Sequence, residues 1–337
     1  MKKLNVAIVG ATGLVGQEFI KVLEQRKFPM SSIHLCASDR SAGRKLFVNH
    51  QEVEVQETTP QSFEHIDVAL FSAGTEISTY FAPIAAKAGA VVVDNSSAWR
   101  MDPQVPLVVP EINPDDVNWH KGIIANPNCS TIQMVVALYP LHKVNPIKRI
   151  VVDTYQSVSG IGSAAIEELS TQTKQVLEGK STAPHVLPHQ IAFHLVPEID
   201  VFLDNGYTKE EWKMVKETQK IMHADEIAIS ATCVRAPVYI SHSEAVHAEF
   251  TFPMTPEEAR QILAEAPGVR VLDDPTVSLY PHPWLAAGTD DVFVGRIRKD
   301  NSHVSGLAMW IVADNLRKGA ALNAVQIAEL LAERDML

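Results

Sequence analysis

The stretch Gly10-Ala11-Thr12-Gly13-Leu14-Val15-Gly16 follows an apolar run at residues 4–9 and opens a segment with helical periodicity at residues 14–26. Glycines between a strand and a helix permit a tight turn and let a pyrophosphate approach the free N–H groups at the helix N-terminus. The spacing is GxxGxxG and not the stricter GxGxxG, so the motif alone is weakly specific. Because the motif lies between a predicted strand and a predicted helix, it predicts dinucleotide binding. The expected contacts are Gly10, Thr12, Gly13, Leu14 and Val15.

The first third of the chain alternates short apolar runs with helix-length segments. Further strand candidates are residues 33–37, 68–72 and 90–94, and a second helical segment covers residues 75–88. This alternation is typical of βαβ units, in which helices cover both faces of a parallel sheet. We therefore predict an α/β Rossmann-type nucleotide-binding domain.

The pattern changes after about residue 128. Longer alternating runs predict an α+β domain with a mainly antiparallel or mixed sheet, in strands at 150–155, 227–234, 244–252, 291–297 and 304–312. Thr208 and Glu211 have capping-box spacing at the start of a helix. Residues 313–334 are predicted to be a helix that returns to the first domain. The predicted domains are thus 1–128 with 314–337, and 129–313.

The composition excludes several classes of protein. The 337 residues suffice for about two domains, and 29 Lys and Arg against 40 Asp and Glu give a net charge of −11, which argues against nucleic acid or an anionic membrane as partner. No apolar run approaches the roughly 18 residues of a membrane span, and the N-terminal run lacks the features of a signal peptide. Cys36, Cys129 and Cys233 match no zinc or disulfide spacing, so we expect free thiols, no metal site and a cytoplasmic location.

Cofactor preference in such a domain is set at the end of the second strand, which here carries Ser38-Asp39-Arg40-Ser41. Arg40 with flanking hydroxyl groups suits a 2′-phosphate and favours NADP. Asp39 would favour NAD unless its carboxylate points away or pairs with Arg40, and a merely solvated turn is the alternative. Two more candidate cofactor contacts lie in the turn after the third strand, Ser72 and Gly74.

Cys129 lies in the segment Asn126-Pro-Asn128-Cys129-Ser-Thr, just before a strongly apolar helical run at residues 132–141. A helix N-terminus stabilises a thiolate, and its free amides can hold a developing oxyanion. A buried free cysteine is more often a small hydrophobic residue, and Cys36 and Cys233, both inside predicted strands, are expected to be of that kind. Cys129 is therefore the candidate nucleophile.

Further motifs accompany this cysteine in order along the chain. They are GATGLVG at 10–16, Ser97-Ala-Trp-Arg100, Pro-Asn128-Cys129-Ser-Thr, Gln156-Ser-Val-Ser159-Gly160, Glu217-Thr-Gln-Lys220, Arg235 with His242, and Ala313-Asp-Asn315-Leu-Arg-Lys-Gly. With this set the chain resembles the aspartate-β-semialdehyde dehydrogenase family over nearly its whole length. The resemblance implies reduction of L-aspartyl-4-phosphate by NADPH to L-aspartate-4-semialdehyde and inorganic phosphate, on the route to lysine, threonine, methionine and isoleucine. It also implies a homodimer or homotetramer.

The resemblance implies catalytic roles as well. Cys129 attacks the acyl phosphate to form a thioester, which hydride converts to a thiohemiacetal. His242 is implied as the general acid and base, since the ordinary histidine pKa lies near working pH. Gln156 orients the acyl group, and Asn128 borders the same pocket.

The charged ends of the substrate are matched by further residues. The resemblance places Arg235 on the α-carboxylate, Glu217 on the α-ammonium, and Arg100 and Lys220 on the phosphate. Near a predicted helix at residues 163–175, additional cofactor contacts are expected from Ser159, Gly160 and Asn315.

Simpler explanations stay open for some of these residues. Glu217 and Lys220, three apart on one helix face, would form an ordinary surface ion pair on spacing alone. Gln156 and Asn128 could instead order a loop, and His242 is one of 13 histidines. Rival functions are a sister reductase of the N-acetyl-γ-glutamyl-phosphate type and a non-catalytic NADP-binding paralogue. Glu217 favours a free α-ammonium over an N-acetyl group.

Overall fold

The chain folds into two units, Met1–Asn128 with Ala320–Leu337, and Cys129–Gly319. The structure is a computed structural model and describes residues 2–337. Residues 314–319 were expected in the first unit but belong to the second. The reason lies in their polar contacts: Asp314 accepts a hydrogen bond from the Gly288 N–H at 2.7 Å, and Arg317 pairs with Asp290 at 2.6 Å.

The first unit is built on a parallel sheet covered by helices. Its strands are β1 (Leu4–Val9), β2 (Met30–Ala37), β3 (Lys45–Val48), β4 (Gln51–Glu54), β5 (Gln56–Glu57), β6 (Val68–Phe71), β7 (Val91–Asp94) and β8 (Ile123–Ala125). The first two helices are α1 (Leu14–Gln25) and α2 (Thr75–Lys87). The sheet order is β5-β2-β1-β6-β7-β8, and β3 and β4 form a separate hairpin.

Apolar residues explain this arrangement. Val6 and Ile8 of β1 are fully buried, as expected for a strand covered on both faces, and Phe19 and Leu23 of α1 share their core. The predicted alternation of strands and helices is confirmed, with bounds that differ by at most three residues.

The second unit contains a mixed sheet, as predicted. Its strands are β9 (Ile147–Gln156), β10 (Ala228–Arg235), β11 (His242–Phe250), β12 (Val269–Val271), β13 (Val292–Lys299) and β14 (Gly306–Ala313). Its helices are α3 (Cys129–Val144), α4 (Ser163–Leu177), α5 (Lys209–Met222), α6 (Pro256–Ala264) and α7 (Pro283–Ala286). The order is β10-β9-β11-β14-β13-β12; β9 with β10 and β12 with β13 are parallel, and the other neighbours are antiparallel.

Helix α5 begins where the sequence predicted a capping box. The Thr208 hydroxyl accepts from the Glu211 N–H at 3.3 Å, and the Glu211 carboxylate accepts from the Thr208 N–H at 2.7 Å. Two donors at the helix start are thereby satisfied.

None of the helices within residues 2–337 has the length and apolar character needed to cross a bilayer.

The C-terminal segment differs from the prediction of one helix over residues 313–334. Ala313 ends β14, Arg317–Ala321 form a π-helix, and the final helix α8 (Leu322–Glu333) belongs to the first unit. Asp314 causes the late start, because its carboxylate accepts from the Leu316 N–H at 2.8 Å and holds a turn after the strand.

Candidate active site

A cleft of about 550 Å³ opens in the first unit beyond the carboxyl ends of β1, β2 and β6. Ligands of parallel α/β sheets bind at such an edge. Six of the predicted cofactor contacts line it: Gly10, Thr12, Gly13, Ser38, Arg40 and Ser72. Four others are not among its lining residues: Leu14, Val15, Ser41 and Gly74.

The glycine-rich turn at this cleft requires residues without side chains. Gly10 has φ +89°, and a Cβ there would collide with the carbonyl of Ser72. A Cβ at Gly16 would collide with the backbone of Gly10 and Ala11. Gly13 caps α1 without a side-chain hydrogen bond, and no acidic residue lies in the first turn. The free N–H groups of α1 therefore suit an anion such as the pyrophosphate of a dinucleotide.

Asp39 and Arg40 lie at the end of β2, in the short helix Asp39–Ser41. The Asp39 carboxylate accepts from the backbone N–H of Arg40 at 2.8 Å. Both residues are exposed and line the cleft. The guanidinium of Arg40 gives the cleft a positive charge, which suits a 2′-phosphate.

In the second unit, three strands bring together three predicted site residues. Arg235 ends β10 in register with Gln156, which ends the parallel strand β9. The antiparallel strand β11 begins at His242, one position beyond the pair Ser243 and Tyr155. Gln156, Arg235 and His242 thus lie at one edge of this sheet, which we call the catalytic edge.

Ser157 links two of these side chains through its backbone. Its N–H donates to His242 Nδ1 at 3.0 Å, and its carbonyl accepts from Arg235 Nη1 at 2.6 Å. Both side chains are buried, with exposed fractions of 0% for His242 and 4% for Arg235. Gly160 packs on the same pair, because a Cβ there would lie 3.1 Å from Arg235 Nη1 and 3.5 Å from His242 Nε2. Ser157 had no role predicted from the sequence.

These contacts define the proton on His242. Because Nδ1 accepts from a backbone N–H, the neutral ring carries its proton on Nε2, which has no hydrogen-bond partner within residues 2–337. Burial, and secondarily the positive charge of Arg235, lowers the pKa of His242 to about 3. The expectation of a pKa near working pH was therefore wrong. His242 is a neutral donor.

Asn315 supports the segment that precedes His242. Its side-chain oxygen accepts from the Ser157 hydroxyl at 3.1 Å, from the Ser159 hydroxyl at 3.2 Å and from the Ser241 N–H at 2.8 Å. Ser241 has φ +77°, an uncommon conformation that these contacts stabilise. Asn315 and Ser159 thus position His242, and their predicted contact with a cofactor stays a prediction.

Glu210 is a further site residue that the sequence analysis missed. Gln156 accepts from the Thr154 hydroxyl at 3.0 Å and donates to the Glu210 carboxylate at 3.1 Å. Glu210 is 5% exposed and also pairs with Lys213 at 2.9 Å. Against the opposing effect of burial, the carboxylates of Glu210 and Asp200 raise the pKa of Lys213 to about 12. Glu210 therefore fixes the Gln156 amide.

The three cysteines differ in their surroundings. Cys129 begins α3 and is partly exposed, whereas Cys36 and Cys233 are buried within β2 and β10, as predicted. Burial raises the pKa of Cys36, and it raises that of Cys233 far more. Gly319, also missed, packs on Cys129: a Cβ there would lie 2.9 Å from the Cys129 Cβ. Cys129 is therefore the most exposed of the three thiols.

The remaining predicted residues are distributed over both units. Glu217 lies on α5 and is 1% exposed, so the alternative of a surface ion pair with Lys220 does not describe it. Arg100 is buried in the first unit and donates to the Asn95 carbonyl at 2.9 Å, and Asn128 is buried at the end of that unit. Residues 2–337 contain no group of three or more His, Cys, Asp or Glu side chains that could hold a metal ion.

Comparisons with known proteins identify the family of the chain. Residues 5–120 match the family model of the semialdehyde dehydrogenase NAD binding domain, and residues 138–318 match that of the semialdehyde dehydrogenase dimerisation domain. The aspartate-semialdehyde dehydrogenase of Aquifex aeolicus is 58% identical, with 99% of each chain covered.

Solved structures are similar too. That of aspartate semialdehyde dehydrogenase II from Vibrio cholerae, complexed with ASA, is 49% identical with a TM-score of 0.96, covering 99% of each chain. That of the Candida albicans enzyme with NADP is 27% identical with a TM-score of 0.79, covering 100% of each chain.

Proposed function

Because the chain belongs to the aspartate-semialdehyde dehydrogenase family, we propose that Cys129 and the catalytic edge carry out the NADPH-dependent reductive dephosphorylation of L-aspartyl-4-phosphate. One observation carries the assignment of roles. Cys129 begins α3 in the same unit in which Ser157 holds His242 and Arg235. Burial lowers the pKa of Arg235, and the charges of Glu210 and Cys129 oppose this shift.

Cys129 is the nucleophile. Its thiolate attacks the acyl carbon, the bond from that carbon to the phosphate oxygen breaks, and phosphate leaves with the electron pair. The product is a thioester on Cys129, at the N-terminus of α3, where the helix dipole stabilises negative charge. Gly319 has no side chain that would compete with Cys129 for space.

His242 acts as a donor and not as a base. Its Nε2 proton is available to the oxyanion that develops on the acyl oxygen during attack and during thiohemiacetal collapse. A neutral ring with a pKa of about 3 stays in this form throughout the physiological range. Gln156, held by Glu210 and Thr154, orients the acyl group.

The substrate ends meet opposite charges. Arg235 suits the α-carboxylate, since its Nη1 is held by Ser157 and a guanidinium presents several donors. The buried carboxylate of Glu217 suits the α-ammonium. Lys220 and Arg100 are proposed for the phosphate.

NADP fits the cleft of the first unit. The free N–H groups at the start of α1 would hold the pyrophosphate, and Arg40 would hold the 2′-phosphate. The chemistry that NADPH supplies when bound is hydride donation to the acyl carbon.

The assembly and its location are also proposed. The match of residues 138–318 to a dimerisation domain supports a homodimer or a dimer of such dimers. Three free cysteines support the reducing environment of the cytoplasm.

The test is an absorbance assay of NADPH formed from L-aspartate-4-semialdehyde, NADP and inorganic phosphate. We expect phosphate-dependent turnover, its loss by roughly 10⁴-fold or more in Cys129→Ala, and NADP affinity within about twofold of wild type. Cys36→Ala, which removes a buried thiol of the first unit, is the control and should keep its activity. Turnover that persists in Cys129→Ala would contradict the thioester route, and reduction only with N-acetylglutamate semialdehyde would indicate the sister reductase.

A further inference from the structure

Three asparagine side chains of the first unit bond to one another in a row. Asn323 Nδ2 donates to Asn126 Oδ1 at 2.7 Å, and Asn126 Nδ2 donates to Asn95 Oδ1 at 2.7 Å. They come from separate parts of the chain, because Asn95 follows β7, Asn126 follows β8 and Asn323 lies in α8. Asn126 and Asn323 are each 0% exposed, and Asn95 is half-buried. We call these three residues the asparagine ladder.

Backbone carbonyls fix the orientation of the two buried amides. Asn323 Nδ2 also donates to the Val108 carbonyl at 3.0 Å, and Asn126 Nδ2 also donates to the Ala320 carbonyl at 3.3 Å. Because a carbonyl oxygen can only accept, neither amide can turn over without losing these bonds. Asn126 must therefore present its nitrogen to Asn95, and Asn95 must present its side-chain oxygen to Asn126.

The ladder ends on the segment that carries Arg100. Arg100 Nη2 donates to the backbone carbonyl of Asn95 at 2.9 Å, and Arg100 is buried. The chain between these two residues forms a tight turn, in which the Asp94 carboxylate accepts from the Ser96 N–H at 3.1 Å and from its hydroxyl at 2.6 Å. The position of Asn95 thus determines where the guanidinium of Arg100 lies.

Asn126 also joins the ends of two neighbouring strands. Asp94 of β7 is in parallel register with Ala125 of β8, and the Asn126 N–H donates to the Asp94 carbonyl at 2.8 Å. Backbone and side chain of Asn126 therefore both hold the start of the segment 95–100. Asn126 precedes Asn128 by two residues, so the same bonds fix the segment that leads to the candidate pocket residue.

The surroundings of the ladder are apolar. Val108, Ile124 and Ala324 belong to the hydrophobic core of this unit. An apolar pair of the same shape in place of Asn126 and Asn323 would leave no amide to satisfy and would be nearly neutral for stability. Stability alone does not require two buried amides here, and what they add is a rigid orientation of Asn95.

We propose that Asn126 and Asn323 are positioning residues, which hold Asn95 and, through its carbonyl, fix the guanidinium of Arg100 for binding of phosphate. The inference rests on the proposed role of Arg100 at the phosphate. Neither Asn126 nor Asn323 needs to touch the substrate, because both act through the hydrogen bonds of the ladder.

The test uses the full-length protein with L-aspartate-4-semialdehyde, NADP and inorganic phosphate. The KM for phosphate and the KM for the semialdehyde are measured separately in Asn126→Ala, Asn323→Ala and Asn113→Ala. Asn113→Ala is the matched control. Asn113 is also a buried asparagine of the first unit, but it donates to the Leu107 carbonyl at 2.8 Å and accepts from the Val109 N–H at 2.9 Å.

We expect Asn126→Ala and Asn323→Ala to raise the KM for phosphate by about fivefold or more, because Arg100 loses its fixed position. The KM for the semialdehyde should stay within about twofold of wild type. Asn113→Ala should lower the thermal stability as the ladder variants do but leave both KM values unchanged. A normal KM for phosphate in both ladder variants would overturn the proposal, and so would an equal rise in Asn113→Ala.

A double-mutant cycle shows whether the ladder acts through Arg100. When Asn126→Ala is added to Arg100→Ala, the KM for phosphate should rise by less than about twofold more. A further fivefold rise would show that Asn126 acts independently of Arg100, which contradicts the proposal. If Asn126→Ala does not fold, the half-buried Asn95 is changed to Ala in its place, with the same expectations.

The cycle also separates this proposal from the proposed function. An unchanged KM for phosphate in Arg100→Ala would refute the phosphate role of Arg100 and the inference that rests on it. A raised KM in Arg100→Ala together with normal values in both ladder variants would refute the ladder alone.

Discussion

The cleft of the first unit and the catalytic edge of the second are built by different means. The cleft consists of backbone turns and exposed side chains such as Ser38 and Arg40 at the ends of parallel strands. The catalytic edge consists of buried side chains that bond to one another across strands, such as Gln156, Arg235 and His242.

The two regions should therefore respond differently to amino-acid substitutions. Exposed side chains that share no partner contribute nearly independently, so the free-energy effects of changing two of them add. A buried network leaves unsatisfied partners when one member is removed, so its effects are larger and not additive. The first region should control cofactor affinity, and the second should control turnover.

Among the changes that compare these two regions, the largest effect is expected at the contact between Gln156 and Glu210. We expect Gln156→Ala and Glu210→Ala each to lower kcat by about 10–100-fold, because the same amide loses its orientation in both variants. The double variant should be no slower than the worse single variant, which a double-mutant cycle on kcat measures. If the fold-reductions in kcat of the two single variants multiply in the double variant, Gln156 and Glu210 act independently.

The next effect concerns stability and pH. The unfolded chain protonates His242 near pH 6.5, but the folded protein does so only near pH 3. Between these values the unfolded state binds more protons, so stability present above pH 6.5 falls by about 1.4 kcal/mol per pH unit as the pH falls towards 3. Urea unfolding of wild type and His242→Asn between pH 4 and 8 measures this.

The test is whether the difference in stability between wild type and His242→Asn depends on pH. The difference in unfolding free energy between the two proteins should change below pH 6.5 and be constant above it. A difference that is constant over the whole range would show that His242 titrates normally in the folded protein.

The smallest effect is expected in the cleft. Arg40→Ser should raise the KM for NADP by about tenfold and leave that for NAD nearly unchanged, because only NADP carries the 2′-phosphate. Combined with Ser38→Ala, the two effects on KM should multiply. An equal loss for both cofactors would assign Arg40 to the shared part of the dinucleotide.

Local features of this protein were predictable from its sequence. The glycine turn after β1, the capping box of α5 and the position of Cys129 at the start of α3 each depend on residues close together in the chain. Short-range geometry and apolar periodicity suffice to recognise such features.

Long-range contacts were not predictable. Glu210 meets Gln156 from 54 residues away, and Gly319 meets Cys129 from the far end of the same unit. The pKa of His242 depends on burial and on Arg235, which the spacing of seven residues does not reveal. Such contacts arise only when distant segments pack together, as β9, β10 and β11 do at Gln156, Arg235 and His242.

The protonation of His242 tests the central claim most directly. Nitrogen-15 NMR of histidine-labelled protein, with His242→Asn to assign the resonance, reports the proton on each ring nitrogen between pH 5 and 8. We predict a neutral ring with its proton on Nε2 throughout this range. A ring that titrates near pH 6.5, or that carries its proton on Nδ1, would contradict a catalytic edge that holds His242 as a neutral donor.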